Sequence, residues 1–243
     1  MLLFRVCITL AHQNSILALR TEELKHAQRP FYARGSKVVR CETCLLPLNT
    51  CICSARPAPQ ASCAVVFLMY KGEYYKPTNT GRLIADVVKE NYAFIWNRTE
   101  PDPGFLLLLE NPIYQPILVF PHEYAEPSRC INKPYKENGK ILLFIFLDGT
   151  WREARKMFGK SPYLNSIPVL GISPELSSNY LLRESTHAFQ HCTAEVGINV
   201  LDLAGEKQAA KALADYFSVF RLQYLKGKPH LNHKIEFAKT QIK

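Results

Sequence analysis

Seven apolar residues in a row, Ile141 to Leu147, run without a polar break into Asp148 and Gly149. A strand with one wet face alternates apolar and polar residues, so an unbroken run reads as a strand covered on both faces. A membrane span needs about 20 apolar residues, so this run is too short to be one. Cys63–Tyr70, Tyr92–Trp96, Phe105–Leu109, Ile117–Phe120 and Ile167–Leu170 have the same character and are read as further strands. Helical spacing marks Arg82–Lys89, Trp151–Phe158, His191–Leu203 and Glu206–Tyr224. Buried strands separated by helices predict an α/β fold with a mainly parallel sheet.

The N-terminal stretch is broken by His12, Gln13, Asn14 and Ser15 and has no cleavage pattern after it. It reads as an ordinary strand or helix rather than a signal peptide, which goes with a cytoplasmic protein. Prolines at Arg56–Gln60 (RPAPQ) make a joint, and Pro127–Gly139 reads as a long polar loop of the kind that can face a substrate. The expected division is an N-terminal segment over residues 1–55, a catalytic domain over 62–225 and a basic tail over 226–243. The net charge of +9 favours a polyanionic partner. Five lysines and one Glu lie between Lys226 and Lys243, which fits a solvated tail and an RNA-contacting one equally.

Four of the eight cysteines lie in thirteen residues, Cys41, Cys44, Cys51 and Cys53, in the pattern C-x2-C-x6-C-x-C. Two chelating pairs on a short loop can supply the four soft donors of a tetrahedral zinc ion, and Pro47 and Asn49 supply turn chemistry between them. Four protein donors leave no open position, so a structural role is expected. An iron–sulfur cluster and free thiols remain open as alternatives.

The acid at the end of an apolar strand stands where open α/β sheets bind ligands. Thr150 and Glu153 have capping-box spacing, so Thr150 starts the next helix. On that helix Trp151, Ala154 and Phe158 share one face, while Arg152, Arg155 and Lys156 form a basic patch at i, i+3, i+4. A turn-forming Asp148 and a core Trp151 remain possible readings at this stage. In Lys76-Pro77-Thr78-Asn79-Thr80-Gly81-Arg82 a capping residue precedes a helix. Free N–H groups there can bind an anion, although a simple cap with exposed cations explains the pattern too. No Rossmann or Walker glycine pattern occurs.

Taken in order, RCETCLLPLNTCIC, PTNTGR, FLDGTWREARKMF, Ser161–Leu164 (SPYL), Tyr180-Leu-Leu-Arg183 and Cys192-Thr-Ala-Glu195 resemble the DTW-domain family of tRNA-uridine aminocarboxypropyltransferases. The resemblance implies a fold similar to the knotted SPOUT methyltransferases, S-adenosylmethionine as donor and tRNA as acceptor. It implies Asp148, Thr150 and Trp151 as catalytic residues, and Thr78, Asn79, Thr80, Arg82 and Glu195 as residues of the donor pocket. Arg152, Arg155 and Lys156 would contact RNA. Many relatives carry His where this chain has Tyr70, and Arg near Tyr74 or Lys76, so those positions are assigned no role. An RNA methyltransferase of similar fold and a zinc-containing RNA-binding protein are the alternatives. Glu195 can equally be an exposed acid at a helix start.

Overall fold

The computed structural model describes residues 12–27, 38–171 and 192–227. Six strands form one sheet in the order β2-β1-β5-β3-β6-β4, with every neighbouring pair parallel. They are β1 (Ala61–Met69), β2 (Val88–Ile95), β3 (Tyr114–Val119), β4 (Cys130–Ile131), β5 (Ile141–Asp148) and β6 (Val169–Leu170). The helices are α1 (Ser15–Lys25), α2 (Gly81–Val87), α3 (Pro103–Glu110), α4 (Trp151–Gly159), α5 (Thr193–Leu203) and α6 (Lys207–Lys226).

The central pair explains the lack of alternation. Val65, Phe67, Met69, Phe144 and Phe146 enter a core shared with α1, α2, α5 and α6. Ala64, Val66, Leu68, Leu143 and Ile145 enter a second core against α3 and α4. With helices on both faces, Cys63–Met69 of β1 and Leu142–Phe146 of β5 are buried without a break. Cys44, Leu46 and Ile52 belong to the first of these cores, so the cysteine-bearing segment is packed onto the sheet layer. The RPAPQ joint is pinned as well, because Arg56 pairs with buried Asp86 at 2.6 Å.

Several expectations need correction. Phe105–Leu109 is helix α3, not a strand. Asp102 caps it by accepting from the N–H groups of Gly104 and Phe105, and Pro103 occupies its first turn. A run of Phe and four Leu carries no period of its own, so the cap decides, and Leu107 is left 68% exposed. The helix expected to reach Lys89 stops at Val87, where β2 begins at once. Within Pro127–Gly139, expected as an open loop, Cys130–Ile131 adds an edge strand beside β6. Arg129 ties the same stretch down by donating to the carbonyls of Leu164 and Ile167. Pro116 sits inside β3, which sequence reasoning began only at Ile117; β6 pairs with β3 only at Leu118 and Val119, so no ladder bond to β6 is lost at Pro116.

Tyr180–Arg183, His191, the first eleven residues and nearly all of the basic tail lie outside the described residues. The path from Gly171 to Cys192, which bears on the expected knot, lies outside them too. Among the described residues no helix is long and apolar enough to cross a membrane.

Candidate functional site

β1 and β5 run side by side to the carboxyl edge of the sheet, with Met69 paired to Asp148. The chain leaves β1 through Tyr70, whose N–H donates to the Asp148 carbonyl at 2.8 Å. It then turns through Glu73 and Lys76, which form an ion pair, into Asn79, Thr80 and α2. Asp148 is 2% exposed. Its Oδ2 accepts from Asn79 Nδ2 at 2.7 Å and its Oδ1 from Thr193 Oγ1 at 2.9 Å. Three segments distant in sequence therefore meet on one carboxylate.

Burial pushes the Asp148 carboxyl up, and the negative charge of Glu73 pushes the same way. Hydrogen bonds from Asn79 and Thr193, with the Lys76 charge, oppose them, and the balance lies at about 6. A carboxylate poised near neutrality is suited to proton transfer.

The neighbours of Asp148 are held just as firmly. Asn79 Oδ1 accepts from Arg82 N at 3.2 Å, so Asn79 caps the start of α2, while Thr80 Oγ1 accepts from Ala194 N on α5. A Cβ added to Gly81 would lie 2.8 Å from Asp148 Oδ2 and 3.3 Å from Ile16 and Phe67. The charge facing the first turn of α2 is thus the protein's own Asp148. Gly81→Ala is expected to force the carboxylate away from Asn79, cutting activity at least tenfold and destabilising the fold by about 1–3 kcal/mol. Paired activity and melting measurements check this; an alanine variant as active and stable as wild type would show that the close approach has no consequence.

Thr150 caps α4 in a complete capping box with Glu153, so its hydroxyl is committed to the helix start. Trp151 is half-buried and stacks on Phe120 at 5.6 Å and 13°, with Tyr124 edge-on at 5.7 Å. Arg152, Arg155 and Lys156 are exposed. Arg155 lies over Tyr124, and Lys156 lies over Tyr70 and Trp96, which stack on each other. Glu195, weighed as an exposed acid, is buried and accepts from Cys192 N at 2.7 Å at the head of α5. Thr78 is half-buried before Asn79. The Arg82 guanidinium is 1% exposed and lies over the Phe220 ring on α6. Sequence reasoning missed Thr193, Gly81 and Glu73 as site residues; the only signal for Thr193 was its place beside Cys192 and Glu195.

The four clustered cysteines converge on one another, with buried Cys44 in the core that also holds α2. Their sulfurs all lie within 4.8 Å of one another, with Cys41 to Cys53 at 3.4 Å and Cys44 to Cys51 at 3.7 Å. Tetrahedral coordination with bonds of about 2.3 Å separates sulfurs by about 3.8 Å, so the set can hold a metal ion. Leu45, at φ 58°, is the non-glycine residue in left-handed conformation among those described. It turns the chain between the pairs, with Cys41 N donating to the Leu46 carbonyl. Burial raises the Cys41 thiol, but the N–H groups of Cys44 and Thr43 and the neighbouring thiols outweigh this and bring it down to about 6. Burial, and for Cys53 also the hydrogen bond with Cys41, pushes the Cys44 and Cys53 thiols up, so without a metal the thiolate form is favoured at Cys41 over these two.

Fold and site together define an α/β protein with a buried carboxylate at the carboxyl edge of a parallel sheet and a metal-competent cysteine knuckle on the same core. The DTW domain profile matches residues 38–225, more than three quarters of the chain, and the protein belongs to the DTW-domain family. It is similar to tRNA-uridine aminocarboxypropyltransferase 2 of Drosophila melanogaster, at 24% identity over 156 residues, covering 59% of this chain. The match spans 58% of that relative's length. No solved structure gives a significant match.

Proposed function

We propose that this protein transfers the 3-amino-3-carboxypropyl group of S-adenosylmethionine to N3 of a uridine in tRNA. The observation that carries the reading is Asp148, a carboxylate near neutrality at the ligand-binding edge of the sheet, held by Asn79 and Thr193. Membership of the DTW family and the similarity to a tRNA-uridine aminocarboxypropyltransferase support it.

In this mechanism the uridine N3 attacks the methylene carbon bonded to the sulfonium. The N3–C bond forms as the C–S bond breaks, the bond pair stays on sulfur, and methylthioadenosine leaves neutral. The N3 proton passes to Asp148. The sulfonium is already a good leaving group, so the protein's main contribution is alignment. Thr78, Asn79, Thr80 and Glu195 line the donor side, Trp151 stacks on a base, and Arg152, Arg155 and Lys156 meet backbone phosphates. Cys41, Cys44, Cys51 and Cys53 hold a structural zinc ion, to which they bring four thiolates and no open position. A reducing, cytoplasmic location goes with these free thiols.

The test is to incubate purified protein with unmodified tRNA and S-adenosylmethionine, then analyse nucleosides and by-product by mass spectrometry. Aminocarboxypropyl-uridine with methylthioadenosine is expected. A methylated nucleoside with S-adenosylhomocysteine would replace this reading with methyl transfer, and tRNA binding without turnover of the donor would leave a binding protein.

A further inference from the structure

Tyr70 and Trp96 stand beside the site, and the transfer mechanism gives them no task. They follow β1 and β2 at the carboxyl edge of the sheet, where Trp96 N donates to the Met69 carbonyl at 2.8 Å. Their rings stack at 5.7 Å and 22°. Lys156 Nζ lies 5.7 Å from the Tyr70 ring centre and 5.8 Å from that of Trp96, so the three centres make a nearly equilateral triangle.

The members of this group are held unequally. Trp96 is buried, and its Nε1–H donates to Oγ of buried Ser161 at 2.8 Å. Tyr70 is half-buried and Lys156 is exposed. A fixed indole therefore backs a phenol ring and a cation that a ligand can reach. No ion pair among the described residues includes Arg152, Arg155 or Lys156. Glu153, one turn before Lys156, is committed to the Thr150 cap.

An aromatic ring beside free cations suits a nucleotide of an RNA strand, its base on the ring and its phosphate on the ammonium. The donor fits less well, because S-adenosylmethionine carries a net positive charge that Lys156 repels. Position separates this base from the reacting one. Asp148 is held by Asn79 and Thr193, at the heads of α2 and α5, which belong to the first core; Tyr70 packs against the second, on the other face of the sheet. The two remain close. Tyr70 N donates to the Asp148 carbonyl at 2.8 Å, and a Cβ added to Gly149 would lie 3.2 Å from the Tyr70 Cβ.

We propose that Tyr70, backed by Trp96 and Ser161 and flanked by Lys156, is a stacking platform for a splayed-out tRNA base next to the target uridine. The proposal rests on reading tRNA as the acceptor. It also gives the Ser161–Leu164 segment a task, because Ser161 fixes the indole behind the platform.

The experiment measures Kd of the full-length protein for an unmodified tRNA transcript across a salt series, with KM for tRNA and for S-adenosylmethionine beside it. Tyr70→Leu removes the aromatic face and is expected to weaken tRNA binding about 5–100-fold. Its salt slope should match wild type, since no phosphate contact is lost. Tyr70→Phe keeps the face and should bind within about twofold of wild type. Lys156→Met should lower the slope by about one. KM for the donor should change less than about twofold in both Tyr70 variants. Melting curves check the fold, and Tyr70→Met replaces the Leu variant if that one melts early. Equal losses for Phe and Leu, tRNA binding unchanged by Leu, or a rise confined to the donor KM would overturn the proposal. A wild type that binds tRNA without aminocarboxypropyl transfer defeats the proposed reaction alone, and the Kd series still decides the platform. A wild type that binds no tRNA removes both.

Discussion

Replacing Asp148 by Asn is expected to lower kcat for aminocarboxypropyl transfer by about 10²–10⁴-fold, with KM for S-adenosylmethionine changed only severalfold. Both carboxylate oxygens accept hydrogen bonds, from Asn79 and from Thr193. An Asn side chain can keep the Asn79 donor on its oxygen and turn its NH2 toward Thr193, whose hydroxyl can rotate to accept. The fold should therefore lose only about 1 kcal/mol, while the charge proposed to receive the N3 proton is gone. The pH dependence follows from the same group. In the proposed mechanism the carboxylate is the reactive form, and its pKa is raised to about 6, first by burial and then by Glu73. Wild-type kcat/KM should then rise with pH, level off above roughly pH 7 and fall about tenfold per unit below 6. The Asn variant should show no such limb. If it keeps wild-type kcat and raises only KM for the donor, Asp148 positions the Asn79 turn and takes no proton.

Stripping the metal, or replacing Cys44 by Ser, should have the largest effect on stability. Metal at a thousandfold over its Kd contributes about 4 kcal/mol to folding, which at 2–4 °C per kcal/mol for a chain of this size is about 8–16 °C in Tm. Cys44 is buried in the core shared by β1, α2 and α6, so the loss is not confined to a loop. It should also reach the site: Arg56, three residues beyond Cys53, grips Asp86 on α2, and the head of α2 touches Asp148 through Gly81. Thermal melts with and without chelator, zinc added back and metal content verified, measure the effect. A metal-free protein with unchanged Tm would reduce the knuckle to four adjacent thiols.

How much of this was legible in the chain depended on how local the interactions are. The β5 run ending in Asp148, the capping box of Thr150 with Glu153, and the cysteine spacing all lie within a few residues, and each appears as read. Phe105–Leu109 was misread because five apolar residues satisfy a strand and a helix alike, and Asp102 with Pro103 decided between them.

The amino-acid order by itself determined the α/β class, the parallel sheet, the placement of an acid at its carboxyl edge and the gathering of four thiols, because periodicity, caps and short chelating loops act over a few residues. Only the tertiary structure decided what surrounds that acid and where Arg82 lies. Asn79 and Thr193 reach Asp148 across 69 and 45 residues, and Arg82 lies over Phe220 of α6. Contacts of that separation leave no local spacing to read, since they arise only when packing of the two cores brings β1, α2, α5 and α6 together.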